Sequence, residues 1–153
     1  MTHAHRREKG FTLLEILIVI ALIAILIGIV IAALNPGRQF ANARNSTRHA
    51  HLNTVMNGIS SNMAENNGNF TCATGAVPAT ATNMATGAGN YDIGPCLVPN
   101  FLSSMPFDPS ASGAHWTSVT DYNTGYTILR NATGNIVVNA PAAELGQTIS
   151  LTR

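Results

Sequence analysis

Charge is scarce in this chain. Only 10% of its 153 residues are Asp, Glu, Lys or Arg, against roughly a quarter in an ordinary soluble protein. The formal net charge is +1, so there is no bulk cationic field, and no specific nucleic-acid partner is inferred. Acidic side chains are few: beyond the first apolar block they are Glu65, Asp92, Asp108, Asp121 and Glu144. No glycine-rich phosphate loop, Ser-His-Asp arrangement or metal quartet accompanies them, which argues against an enzyme and for no cofactor. The histidines add little. His49 and His51 are two apart and cannot share a helix face as an i, i+4 metal pair does. His115 is remote, and His3 and His5 sit at the extreme N-terminus. Cysteine is limited to Cys72 and Cys96. At 153 residues the chain is long enough for one domain with a modest core.

What the chain does have is one long apolar block. From Ile16 to Leu34 no residue is charged or polar. As a helix this stretch is about 28 Å long, close to the roughly 30 Å hydrocarbon core of a bilayer. It is apolar all round, which predicts a membrane span rather than a surface helix. Ahead of it, Arg6, Arg7 and Lys9 oppose Glu8, leaving +2 in the first ten residues and −1 in the rest. That asymmetry predicts a cytoplasmic N-terminus and an exported C-terminal part. Arg38, Arg44 and Arg48, beyond the span, work against it in part. A secretory signal peptide has an apolar core of only about 7–15 residues, and Ala32-Ala33-Leu34 followed by Asn35-Pro36 is a poor cleavage site. A plain signal anchor explains the span but not the residues before it. In an exported protein an even cysteine count favours a Cys72–Cys96 disulfide. Closing a loop of about 25 residues contributes roughly 3–4 kcal/mol on the chain-entropy estimate.

The residues before the span read Lys9-Gly10-Phe11-Thr12-Leu13-Leu14-Glu15. This stretch resembles the type IV prepilin family, which includes the pseudopilins of type II secretion. The family pattern is a short basic leader ending in Gly, then Phe-Thr-Leu-hydrophobic-Glu, then a long apolar helix. The close resemblance covers Lys9 to Leu34. It implies cleavage by prepilin peptidase between Gly10 and Phe11, N-methylation of Phe11, and assembly by an ATPase and a membrane platform. It also implies a role for Glu15. A carboxylate in or near hydrocarbon needs a partner, and no Lys or Arg stands between Ile16 and Gly37. The resemblance implies that Glu15 faces the Phe11 amine of a neighbouring protomer; the alternative is a solvated carboxylate in the headgroup zone.

Asn35-Pro36-Gly37 predicts a break or kink. Leu52, Val55, Met56, Ile59 and Met63 then recur at three- and four-residue spacing, which predicts an amphipathic helix packed on a core. Arg44 and Arg48 share a helix face and are read as solvated, or as contacts to lipid headgroups or a neighbouring subunit. Asn66-Asn67-Gly68-Asn69 ends this stem. Phe70 to Asn90, rich in Ala, Thr and Gly, reads as a loop or irregular segment. Val98 to Pro109 ends in Met105-Pro106-Phe107-Asp108-Pro109, similar to the Leu-Pro-x-Asp-Pro stretch of many major pseudopilins. Strands are predicted at Tyr126–Arg130, Ile136–Asn139 and Thr148–Thr152, with an edge strand at Trp116–Val119. Calcium binding in some major pseudopilins makes Asp108 and Asp121 weak candidates for that ion, although two carboxylates fall short of its 6–8 oxygens. Turn capping is the plainer role for each. The sequons at Asn45, Asn69 and Asn131 are expected by chance in a chain this rich in Asn and Thr.

The expected fold is therefore α+β, a pilin-like roll with a long N-terminal helix packed on a small antiparallel sheet. The expected organisation is a leader at 1–10, a transmembrane and filament-core helix at 11–34, a stem helix at 35–66 and a globular head at 67–153. The expected function is a structural subunit of a type IV pilus-like filament, a homopolymer whose subunits wait in inner-membrane lipid before assembly into an extracellular or periplasmic filament. The alternatives are a pseudopilin of a secretion or DNA-uptake system, and an anchored binding module that never polymerises.

Overall fold

The computed structural model describes residues 10–153. Apart from Gly10, the expected leader lies outside the described residues. Two compact units follow, one ending at Gln39 and the other spanning Phe40–Arg153.

The first unit is dominated by α1, Leu13–Leu34. Leu, Ile, Val and Ala fill it, and it runs through Gly28 without interruption. None of its residues is buried. It ends where the sequence demands, because Pro36 has no amide hydrogen to continue the ladder and disfavours helix at the residue before it. Asn35 takes up a left-handed conformation at φ 43°, one that Asn tolerates better than most residues. Helix α2, Pro36–Glu65, starts at once. Asn35 caps it: its carbonyl accepts the Arg38 amide at 3.0 Å, and Pro36 occupies the first turn, where a missing donor is harmless.

In the second unit α2 supplies one wall of the core. Leu52, Val55, Met56 and Ile59 are all buried, as their spacing predicts. The helix closes on Asn67 and Gly68, both at positive φ. The Gly68 amide reaches back to the Met63 carbonyl at 2.8 Å, the signature of a Schellman cap.

The other wall is a five-stranded antiparallel sheet, β1 Thr82–Ala85, β2 His115–Ser118, β3 Asp121–Arg130, β4 Ile136–Asn139 and β5 Ser150–Thr152. Strand β3 is central. Asn123 pairs with both Ala85 and His115, so β1 and β2 flank opposite edges of β3. Strand β4 pairs with the Thr127–Arg130 end and carries β5 on its outer side. Met84, Tyr126, Ile128, Ile136 and Val138 face the α2 stripe in one core cluster. The fold is the α+β pilin-like class.

The structure corrects three readings. The segment Phe70–Asn90 is not wholly irregular, because Thr82–Ala85 forms β1. Its residues have no strong strand propensity; it forms because the edge of β3 offers partners, and Met84 and Ala85 are buried there. Strand β3 begins five residues earlier than the Tyr126 start expected from its β-branched run. A short helix, α3 at Gly94–Leu97, was not foreseen. It docks on Tyr122, whose hydroxyl accepts the Gly94 amide at 2.8 Å and donates to Asp92 at 2.7 Å. A Cβ at Gly94 would stand 2.7 Å from the Tyr122 ring, so only glycine fits.

Cys72 and Cys96 are joined in a disulfide with Cα atoms 5.2 Å apart. It ties the segment leading to β1 onto α3.

Candidate assembly site and its supporting network

The chemistry-bearing part of the first unit is the stretch from Gly10 to Glu15. Gly10, Phe11 and Thr12 are exposed and outside any helix. The Gly10–Phe11 bond thus lies in exposed, non-helical chain. Thr12 starts α1: its Oγ1 accepts the Glu15 amide at 3.2 Å, and its carbonyl accepts the same amide at 3.1 Å. Threonine is a good residue for this position because its hydroxyl satisfies an amide that has no partner within the helix. Glu15 falls in the first helical turn, where the helix dipole favours negative charge. Its carboxylate has no hydrogen-bond or ion-pair partner among the described residues. Around it the apolar side chains of α1 stand open, from Leu13 at 83% exposed to Val19 at 46%. A helix with this surface is stable only inside lipid or against other apolar helices.

The second unit holds a cluster that the sequence analysis missed. Arg48 is fully buried, and all five of its N–H donors are used. Nε donates to Asp108 Oδ2 at 2.7 Å, and Nη2 donates to Asp108 Oδ1 at 3.0 Å and Ser110 Oγ at 2.6 Å. Nη1 donates to Asn45 Oδ1 and Glu144 Oε2, both at 2.9 Å. Arg44 grips Glu144 with two further bonds at 2.7 and 2.6 Å. Asn45 holds the Glu144 backbone from both sides, accepting its amide at 3.0 Å and donating to its carbonyl at 2.9 Å. The earlier reading of Arg44 and Arg48 as solvated or lipid-facing is thus corrected: both turn toward carboxylates of their own domain. One turn of α2 is locked to the loop after Met105 and to the loop before β5.

Asp108 has the turn-capping role expected of it, accepting the amides of Ser110 and Ala111 at 2.8 and 2.9 Å. It is also the partner of Arg48. Gly125, at φ +70°, lets this loop approach β3, since a Cβ there would stand 3.1 Å from the Asp108 Cβ. Asp121 lies at the start of β3, half-exposed or more, with His115 Nε2 at 3.2 Å from its Oδ1. The two aspartates serve different partners. Among the described residues no three His, Cys, Asp or Glu side chains gather as a metal site.

The network predicts acid sensitivity. Burial pushes the Asp108 carboxyl up, but the Arg48 guanidinium and two backbone amides outweigh it and hold the carboxyl below its ordinary value. Hydrogen bonds from Arg44, then Arg48, pull Glu144 down to about 2. A carboxyl depressed in the folded state contributes stability above its unfolded pKa and loses it as pH falls through the folded one. The urea midpoint is therefore expected to drop between about pH 4.5 and 2, with a shallower drop in Glu144→Gln. Equal slopes in the two proteins would contradict this.

An exposed, capped entry into an apolar helix with one carboxylate, followed by an α+β roll, is consistent with a membrane-anchored precursor. Residues 5–31 match the family model described as the prokaryotic N-terminal methylation motif, the prepilin-type signature of type IV pilins and pseudopilins. The chain carries that signature, which marks structural proteins that are generally not enzymes. No curated protein and no solved structure matches the chain.

Proposed function

We propose that this protein is a structural subunit of a type IV pilus-like filament, cut by prepilin peptidase after Gly10 and N-methylated at Phe11. The observation that carries this reading is the methylation motif at residues 5–31, set on a helix whose apolar surface is wholly exposed. The precursor waits in the inner membrane with its N-terminus cytoplasmic. Cleavage creates an amine four residues before Glu15. An assembly ATPase and its membrane platform then move α1 from lipid into a bundle of α1 helices from other copies. That transfer exchanges one apolar surrounding for another, so burial alone supplies little drive, and the pairing of Glu15 with the neighbouring Phe11 amine sets the register.

A bulky residue at the cleavage point tests this. Gly10→Val is expected to leave the leader attached and to eliminate filaments, while the protein still fractionates with membranes. Normal removal of the leader from that variant would contradict the proposal. A second reading, a pseudopilin, is favoured by Met105-Pro106-Phe107-Asp108-Pro109, whose aspartate anchors the buried Arg48. Abundant long surface filaments support the pilus; short filaments seen only on overexpression support the pseudopilin.

A further inference from the structure

Beyond α1, the large apolar side chains left exposed are Phe40, Phe107 and Leu145. Phe107 borders a groove with Met105 and Trp116. Phe40 and Leu145 stand elsewhere. Phe40 is one helical turn before Arg44 and so shares its face of α2. Arg44 holds Glu144, the residue before Leu145. The ion pair thus links the α2 face that carries Phe40 to the residue next to Leu145.

Leu145 is unusual in two ways. Its φ is +58°, a left-handed conformation that a bulky L-residue rarely adopts. It is also 45% exposed, so a large part of its apolar side chain is left uncovered by the domain. The conformation is imposed from both sides: Asn45 grips the Glu144 backbone, Arg44 and Arg48 grip its carboxylate, and the Gln147 amide returns to the Glu144 carbonyl at 3.1 Å. A strained, clamped turn that points a leucine outward is a device for presenting it.

The chain itself identifies the occupant. Phe40 follows Leu34, the last residue of the span, by six residues. Even fully extended, six residues reach only about 20–22 Å, and α2 is helical from Pro36 onward, which shortens that reach. Phe40 is therefore held near the headgroup layer of the bilayer that contains α1, where aromatic and apolar side chains anchor proteins. We propose that the edge carrying Phe40 and Leu145 is a lipid-docking surface that seats the head on the headgroup–acyl boundary before assembly. This rests on α1 being a membrane span.

The test uses the full chain in phosphatidylcholine–phosphatidylglycerol vesicles containing lipids brominated near the headgroup. Trp116 is the only tryptophan, so the variants are Phe40→Trp and Leu145→Trp, each combined with Trp116→Phe, with Asn69→Trp in that background as a reference site. Both edge tryptophans are expected to lose at least half their emission to the brominated lipid, while the reference loses little. Vesicle flotation is scored first. Protein that does not float overturns the span and the docking together; protein that floats with no quenching at position 145 overturns the docking alone. Emission at position 145 that changes with protein density and not with bromination assigns the edge to a second copy of the chain and also overturns the proposal. Should Leu145→Trp not fold, the unsubstituted protein in nanodiscs serves: a headgroup nitroxide is expected to broaden the amide signals of residues 144–146, and sharp signals there overturn the docking.

Discussion

Replacing Glu15 with Gln is expected to leave cleavage after Gly10 intact and to remove most filaments. The expected loss is roughly tenfold or more, the scale on which a desolvated charge partner matters at an interface. The reason lies in the inventory of cations. Lys9 is the only lysine in the chain, and the proposed cleavage removes it. Arg44 and Arg48 are engaged by Glu144 and Asp108. The Arg130 guanidinium donates to the Gly134 carbonyl and that of Arg153 to Asn57 and Ser60. Arg38 stands beyond the far end of α1 from Glu15, so under the proposed cleavage the Phe11 amine is the one cation created near Glu15 in the sequence. Within one copy it lies at the same end of the same helix; in a neighbouring copy it is free to pair across the contact. Gln keeps the size and helix preference of Glu, so a loss of filaments in this variant reports charge. The measurement is filament yield by shearing and electron microscopy, with leader removal followed by mass. Normal filaments from processed Glu15→Gln would remove the pairing from the mechanism.

Replacing Arg48 with Ala is expected to destabilise the head by about 3–5 kcal/mol, because it leaves the buried Asp108 carboxylate without a cation. A domain of this size has a total stability of about 5–15 kcal/mol, so the variant should sit close to unfolding. Arg48→Lys should recover less than half of the loss. An ammonium offers three donors from one point, whereas five donors in a planar fork are used here. Urea unfolding of the full-length protein in detergent, followed through Trp116, checks both variants. A lysine variant as stable as the parent would show that charge alone matters at this site and that the fork geometry does not.

The long apolar helix was legible because its signal is local and redundant: the whole of Ile16–Leu34 is apolar, and Pro36 marks its end. The α2 stripe was legible for the same reason, since Leu52, Val55, Met56 and Ile59 repeat within one helix. The strand at Ile136–Asn139 announced itself through consecutive β-branched residues. What escaped depends on distant residues. β1 is a strand because β3 lies beside it, and nothing in Thr82-Asn83-Met84-Ala85 requires one. The Arg48 cluster joins residues 60 and 96 positions apart, and no local pattern ties an arginine on a helix to a particular carboxylate in a loop. The one usable hint was scarcity: with so few acids in the head, Asp108 and Glu144 are natural partners for two arginines on one helix face.

Intact mass and N-terminal sequencing of the protein purified from its native host test the central claim most directly. The expected result is a chain that begins at N-methylated Phe11 and contains no lysine, with Cys72 and Cys96 still joined. A chain that begins at Met1, or one cut beyond Leu34, would contradict it.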